Sequence, residues 1–159
     1  MTSAPAITLR PFTTDDLPLL FRIYAGTREQ ELAAVPWTQE QKVAFLAMQF
    51  QAQHADYQKN YPDAAFDIVE CEGVPVGRLY LHQRPDEVRI IDIAILPERR
   101  SAGLGTALLS GVINDAKSIG KPVTIHVEKY NPALRLYQRL GFVEVGGNDV
   151  YLLMERLPQ

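Results

Sequence analysis

The ten residues Pro97–Thr106, PERRSAGLGT, place two arginines ahead of Ser101, Ala102, Gly103 and Gly105, which have almost no side chain. They follow an apolar run and open an apolar-periodic segment, so they read as the turn from a strand into a helix. The first amides of a helix lack backbone partners and lie at the positive end of its dipole, which suits them to phosphate. Close approach of an anion needs backbone free of bulk, which these small residues provide, while Arg99 and Arg100 add charge. Neither common phosphate motif is present. Nothing resembles GxxxxGK[ST], and GxGxxG would need glycine where Leu108 stands. The same turn also serves as a tight connector with solvated arginines. A second chemical oddity is Asp92, which interrupts the apolar run Ile90-Ile91-Asp92-Ile93, where a carboxylate is costly unless used or paired. Arg78 and Arg89 are the candidate salt-bridge partners.

These groups need elements to position them. Ile7 to Phe12 reads as a strand, followed by Thr13 and Asp16 as a box-like helix start. Leu17, Leu20, Phe21 and Tyr24 keep a helical face, with Pro18 an irregularity near its beginning, and Gly26 marks the expected stop. Arg28 to Trp37 reads as a loop. Thr38, with Gln41 three residues on, caps a second, longer helix that ends at Asn60-Tyr61-Pro62-Asp63. Phe66 to Glu72 and Val76 to His82 form a hairpin about Glu72-Gly73. Val88 to Leu96 reads as a strand buried on both faces. A helix carrying Leu104, Leu108, Val112 and Ile119 stops at Gly120, and Val123 to Val127 is again a strand. Asn131-Pro132 sets an N-cap and a first-turn proline for a helix ended by Gly141. Tyr137, three residues from both Leu134 and Leu140, has the spacing of a core aromatic there. Phe142 to Val145 and Val150 to Met154 close the chain around Gly146-Gly147-Asn148-Asp149. The order βααβββαβαββ predicts an α/β (α+β) fold: a mixed, mostly antiparallel sheet of about seven strands flanked by four helices.

The 159 residues predict one domain spanning 1–159, with 47% hydrophobic and 22% charged residues as in ordinary globular proteins. With 16 basic and 19 acidic residues the net charge is −3, so no global field favours nucleic acid or an anionic membrane. The single cysteine, Cys71, excludes an intramolecular disulfide and fits a reducing compartment. Its strand setting marks a buried structural thiol rather than a nucleophile. MTSAPAITLRP lacks the pattern of an export signal, and no apolar run approaches the ~18 residues of a membrane helix. The expectation is a soluble, cytoplasmic protein. No repeat, low-complexity block or flexible linker interrupts it.

Arg100-Ser101-Ala102-Gly103-Leu104-Gly105 matches the Arg/Gln-x-x-Gly-x-Gly/Ala pattern of the GNAT superfamily of N-acetyltransferases. The resemblance extends through Ile93-Ala94-Ile95-Leu96-Pro97 before it and Thr106-Ala107-Leu108-Leu109 after it. It recurs at Asn131 to Phe142, NPALRLYQRLGF, which resembles the family's other signature. The element order also matches the acyl-CoA N-acyltransferase fold, so the likeness covers nearly the whole chain. It implies an acetyl-CoA-dependent N-acetyltransferase in which a primary amine attacks the thioester directly. Cys71 lies outside both signatures, against a covalent relay.

By this resemblance the backbone amides of Arg100, Ser101, Ala102, Gly103, Leu104, Gly105 and Thr106 hold the coenzyme A pyrophosphate. The family's fourth strand carries a bulge and leaves the fifth, which frees the backbone of Ile93, Ala94 and Ile95 to pair with the pantetheine arm. Asn131, Ala133 and Tyr137 are implied contacts of the coenzyme, and Tyr137 the acid that protonates the departing thiolate. A lysine-like amine with pKa ~10.4 is neutral to less than about one part in a thousand at pH 7, so a base is expected. Asp92, His126 and Glu128 are the candidates, the last two sharing one strand face. Tyr24, Glu29, Glu31 and Trp37 are candidates to line the acceptor pocket, where acidic groups suit a cationic amine. They read equally as a solvated loop anchored by Trp37. No metal is assigned, the acceptor is a small-molecule or peptide amine, and monomer and homodimer stay open. Because no base stands out, a catalytically silent acyl-CoA-binding sensor or partner module is the alternative. A nucleotide-binding domain is opposed by the antiparallel hairpins before the turn.

Overall fold

A computed structural model describes residues 6–159; residues 1–5, part of the stretch read above as free of an export signal, lie outside it. Seven strands, β1 (Ile7–Pro11), β2 (Ala65–Cys71), β3 (Val74–Gln83), β4 (Val88–Ile95), β5 (Val123–Glu128), β6 (Val143–Gly147) and β7 (Tyr151–Arg156), form one sheet. Four helices, α1 (Leu17–Ala33), α2 (Gln39–Asn60), α3 (Leu104–Ser118) and α4 (Leu134–Arg139), interleave with them. The strand order is β1-β2-β3-β4-β5-β7-β6, antiparallel throughout except for β4 against β5. The predicted element order and mixed sheet are therefore observed. Among the described residues no helix is long and apolar enough to cross a membrane.

Two apolar layers cover the sheet. Leu20, Ile23, Leu46 and Phe50 of α1 and α2 pack on Ile68, Tyr80 and Ala94. Leu104, Leu108, Leu109 and Val112 of α3, with Tyr137 of α4, pack on Val88, Ile90, Val123, Ile125 and Val127. Strand alternation sends neighbouring residues to opposite layers, and each fully buried Leu or Ile contributes about 1.5–3 kcal/mol.

One irregularity organises the site. Opposite β3, Ile90 pairs with Leu81 and Asp92 with Tyr80, so Ile91 is an extra residue, a bulge. Before it, Val88 and Ile90 face α3. At the bulge Ile91 joins the α1/α2 layer and Asp92 reaches Tyr57 of α2, and beyond it Ile93 and Ile95 return to the α3 side. Parallel pairing to β5 covers only Val88, Arg89 and Ile90, ending where the bulge begins. From there the two strands part.

The register also fixes which polar groups enter the gap. Leu96 N–H donates to the Val76 carbonyl at 2.8 Å. Bonded and non-bonded pairs alternate along an antiparallel ladder. With Arg78 opposite Ala94, Gly77 opposite Ile95 and Leu79 opposite Ile93, the Ala94 backbone is committed to β3. Those of Ile93 and Ile95 point toward β5. The expected trio of free residues thus narrows to two.

Several local expectations are corrected. Helix α1 does not stop at Gly26 but runs to Ala33, so residues 28–33 are helical rather than loop. Gly26 is there for packing: a Cβ would lie 2.6 Å from Pro97 Cγ. Buried Leu32 and the Arg28–Glu31 pair support the extra turns. Pro18 lies in the first turn of α1, where its missing N–H costs nothing. A short 3-10 turn, Thr14–Asp16, precedes α1, and Asp16 accepts the Thr13 N–H at 2.8 Å. The Thr38–Gln41 capping box forms as read, at 2.9 and 3.1 Å. Helix α4 begins at Leu134, after a turn in which Asn131 Oδ1 accepts the Ala133 N–H at 2.8 Å. Ile119 is exposed, and Ala116 takes the inward position on α3. Gly146 and Gly147 belong to β6, and Asn148 makes the turn by accepting from the Val150 and Tyr151 amides. Strand β4 is only half covered past Ile90, where β5 leaves it.

Candidate active site

Between β4 and α3 the chain twice enters the left-handed region, at Ser101 (φ 64°) and Gly103 (φ 79°). Such reversals next to a helix start turn backbone amides to one side and make an anion-binding concavity. Ser101, Ala102, Gly103 and Thr106 are exposed, while Leu104 buries its side chain and can offer only backbone. A Cβ built at Gly103 meets nothing within 4 Å, so the space in front of the turn is open. Gly105 lies close to α4, since a Cβ there would stand 3.4 Å from Leu136 Cδ2. The Arg100 guanidinium turns inward. It donates to the Gly26 carbonyl at 3.1 Å and to the Ile95 carbonyl at 3.3 Å. The side chain therefore ties α1 to the end of β4. Both polar groups of Ile93 and the Ile95 N–H stay directed at the gap.

Tyr137, on α4, is 4% exposed and packs edge-on against Phe142. Its hydroxyl has no hydrogen-bond partner among the described residues. Burial, and then the negative charge of Asp92, push its pKa up to about 12, so the phenol holds its proton at neutral pH. Asn131 and Ala133 form the turn that starts α4, where Asn131 Oδ1 is spent on the Ala133 amide.

The three candidate bases differ in what occupies their lone pairs. Asp92 accepts two bonds from Arg78, Nη2 at 2.9 Å and Nε at 3.3 Å, and a third from the Tyr57 hydroxyl at 2.9 Å. Of the two salt-bridge partners read from the sequence, the fold selects Arg78. His126 Nδ1 lies 3.2 Å from Arg89 Nη1. Because arginine only donates, Nδ1 is the acceptor and the neutral ring carries its proton on Nε2. Burial and the charges of Arg89 and Arg84 lower its pKa further. Glu128, at the end of β5, has only a 3.6 Å ion pair to Arg28, and its side chain is 43% exposed. Its carboxylate is the least committed of the three.

Arg28 organises the α1 side of the site. It pairs with Glu31 at 3.2 Å and Glu128 at 3.6 Å, and its guanidinium lies 5.7 Å from the Tyr24 ring centroid. The fold thus brings Tyr24, Glu31 and Glu128 together. Two other candidates stand apart. Trp37 packs edge-on against Phe45, and Glu29 lines a separate cleft of about 440 Å³ beside Pro97 and Glu98. Sequence reading missed Arg28, Tyr57 and Gln53. Arg28 was legible as the i,i+3 partner of Glu31 once the helix was carried past Gly26. The α2 pair had no local signal.

These features suit one ligand shape: the gap between the diverging strands has room for a narrow arm, and the turn beside it has the backbone geometry to receive an anion. Residues 24–142 match the model described as the Acetyltransferase (GNAT) family. An N-alpha-acetyltransferase of Sulfurisphaera tokodaii is 31% identical over 121 residues, covering 62% of this chain and 72% of that protein. The mouse cysteine-rich protein 2-binding protein is 40% identical over 83 residues, 52% of this chain but 10% of that much longer protein. Among solved structures, PaiA N-acetyltransferase of Thermoplasma acidophilum, in complex with coenzyme A, matches with a TM-score of 0.71 at 16% identity, covering 96% of this chain and 99% of that one. The ribosomal-protein-S18-alanine N-acetyltransferase of Escherichia coli matches at 0.63 and 23%, covering 97% and 95%.

Proposed function

The chain belongs to the GNAT family of acetyltransferases, whose acetyl donor is acetyl-CoA, and on that premise we propose that it acetylates the α-amine of a peptide N-terminus by direct attack. What supports this most directly is the gap that opens after Ile90, with both polar groups of Ile93 and the Ile95 N–H on its wall and the Ser101–Gly103 concavity at its mouth. When bound, acetyl-CoA supplies an acetyl carbonyl already activated as a thioester. The amides from Arg100 to Thr106 hold the pyrophosphate, and Ile93 and Ile95 hold the pantetheine amides as an added strand would. Tyr137 Oη donates its proton to the departing thiolate, whose thiol has an ordinary pKa of ~8.5. Glu128 accepts the proton of the acceptor ammonium, directly or through one water.

The supply of bases bears on the acceptor. With Asp92 and His126 engaged, the half-exposed Glu128 carboxylate is the least committed of the three candidates. A lysine side chain is neutral to less than about one part in a thousand at pH 7, whereas an α-amine of pKa ~7.7–8 is neutral to roughly one part in ten. The α-amine makes the smaller demand. The similar N-alpha-acetyltransferase is consistent with that choice. The test is thiol release from acetyl-CoA across amino acids, peptides with free or blocked N-termini, polyamines and aminoglycosides. Turnover is expected with free N-termini and not with blocked ones. Binding of acetyl-CoA without turnover of any amine would instead identify a binding module.

A further inference from the structure

Arg78 is 2% exposed, deep beneath α2, and its fork grips both oxygens of Asp92. The same guanidinium donates to Gln53 Oε1 at 3.0 Å and lies 5.1 Å from the Tyr80 ring centroid, while Tyr57 reaches Asp92 from α2. Asp92 is the first residue after the bulge at Ile91, and β4–β5 pairing ends at Ile90, two residues before Asp92. Side chains in a strand alternate, so removing the bulge would turn Asp92 into the apolar α3 layer and shift Ile93 and Ile95 by one face. A bidentate ion pair anchored to a helix resists that slip, because an unpaired carboxylate in an apolar layer is costly.

We infer that Arg78 and Asp92 form a register lock: they hold β4 in its bulged register, and so keep the backbone of Ile93 and Ile95 turned into the acetyl-CoA gap. They are positioning residues that act through the strand. The inference rests on the acetyl-CoA reading above and adds to it the device that keeps the slot open. The pair's neighbours are Tyr57, Tyr80, Gln53, His54 and apolar groups. The Asp92 charge also raises the Tyr137 pKa, but burial is the larger cause, so the phenol keeps its proton at neutral pH without it. Buried ion pairs replaced as a unit by apolar residues commonly leave a fold intact, whereas removing one partner does not.

The test is the double variant Arg78→Met/Asp92→Leu, with Arg78→Lys as a milder companion that keeps the charge but loses the fork. Acetyl-CoA affinity is measured by calorimetry, KM and kcat by thiol release, and amide exchange at Ile93–Ile95 by NMR. In the wild type, Ile93 and Ile95 amides are expected to exchange fast and Ala94 slowly, with acetyl-CoA protecting the former pair. The folded double variant is expected to lose at least roughly tenfold in acetyl-CoA affinity, about the worth of one net hydrogen bond. KM for acetyl-CoA rises with it, while kcat at saturation changes little. Arg78→Lys, which keeps a positive charge beside Asp92, is expected to fold and to fall between. An unchanged affinity in a folded double variant, or in Arg78→Lys should the double variant not fold, overturns the lock. A fall in kcat with unchanged KM also overturns it, and makes Asp92 a group acting on the reactants. If the wild type itself does not bind acetyl-CoA, the functional reading falls first.

Discussion

Tyr137, spaced along its helix as a core aromatic, and Glu128, at the end of a strand, are the proposed acid and base, and their surroundings differ accordingly. Burial and the nearby Asp92 charge keep the Tyr137 proton on up to about pH 12. A group so held can donate to a thiolate but cannot serve as base at neutral pH. Tyr137→Phe keeps the ring against Phe142 and removes only the donor. Turnover is expected to fall roughly 10²-fold with acetyl-CoA affinity unchanged, as read by single-turnover kinetics and calorimetry. Unchanged turnover would remove the phenol from the mechanism. Glu128→Gln is expected to lower kcat, and the loss should be smaller for an acceptor of lower amine pKa, which needs less help losing its proton. Equal loss for lysine-like and α-amines would argue against Glu128 as base.

At the scale of elements, what matters is how tightly α1 and the first strand are fastened. Gly26 lets α1 touch Pro97 ahead of the phosphate turn. Alanine in an unhindered helix would gain up to about 1 kcal/mol over glycine. Here its Cβ would meet a proline ring at 2.6 Å, and overpacking of that kind costs about 1–3 kcal/mol. Gly26→Ala is therefore expected to destabilise, read by chemical denaturation; stabilisation would mean that α1 can slide. Just before the helix begins, Arg10 hydrogen-bonds Asp16 and holds its carboxyl at about 2, below the ordinary 3.8. A lowered carboxyl pKa stabilises the fold above the unfolded value and loses that contribution as pH falls through the folded one. The stability gap between wild type and Asp16→Asn should accordingly be full at pH 5 and shrink between about pH 4 and 2. A gap that ignores pH would break the assignment.

For the whole molecule, ligand and fold should be linked. At a hundred times its Kd, acetyl-CoA is expected to add about 2.7 kcal/mol of stability, or roughly 5–10 °C in Tm for a chain of this size. Gly103→Val should fold but lose this shift, because it strains a left-handed backbone (φ 79°) and fills the open approach. A retained shift would move the anion site elsewhere.

Two signatures, Arg100–Gly105 and Asn131–Phe142, together with element order, sufficed to read the family, the sheet and the donor from sequence. The reason is that local chemistry determines them. Small residues at a helix start are visible one after another, and hydrophobic period reveals each strand and helix. The α1 terminus was misread for a related reason, since Gly26 is a breaker by propensity and a contact by tertiary packing. What sequence left open was the choice among Asp92, His126 and Glu128. Each is a titratable group on a strand, and its availability depends on which distant donor reaches it: Arg78 and Tyr57 for Asp92, Arg89 for His126, Arg28 for Glu128. Most of those donors come from other elements, and the register, set by a one-residue bulge at Ile91, decides which face each carboxylate meets. Only the folded sheet shows which of these groups a donor already occupies, because a hydrogen bond is a fact about positions in space and not about spacing along the chain.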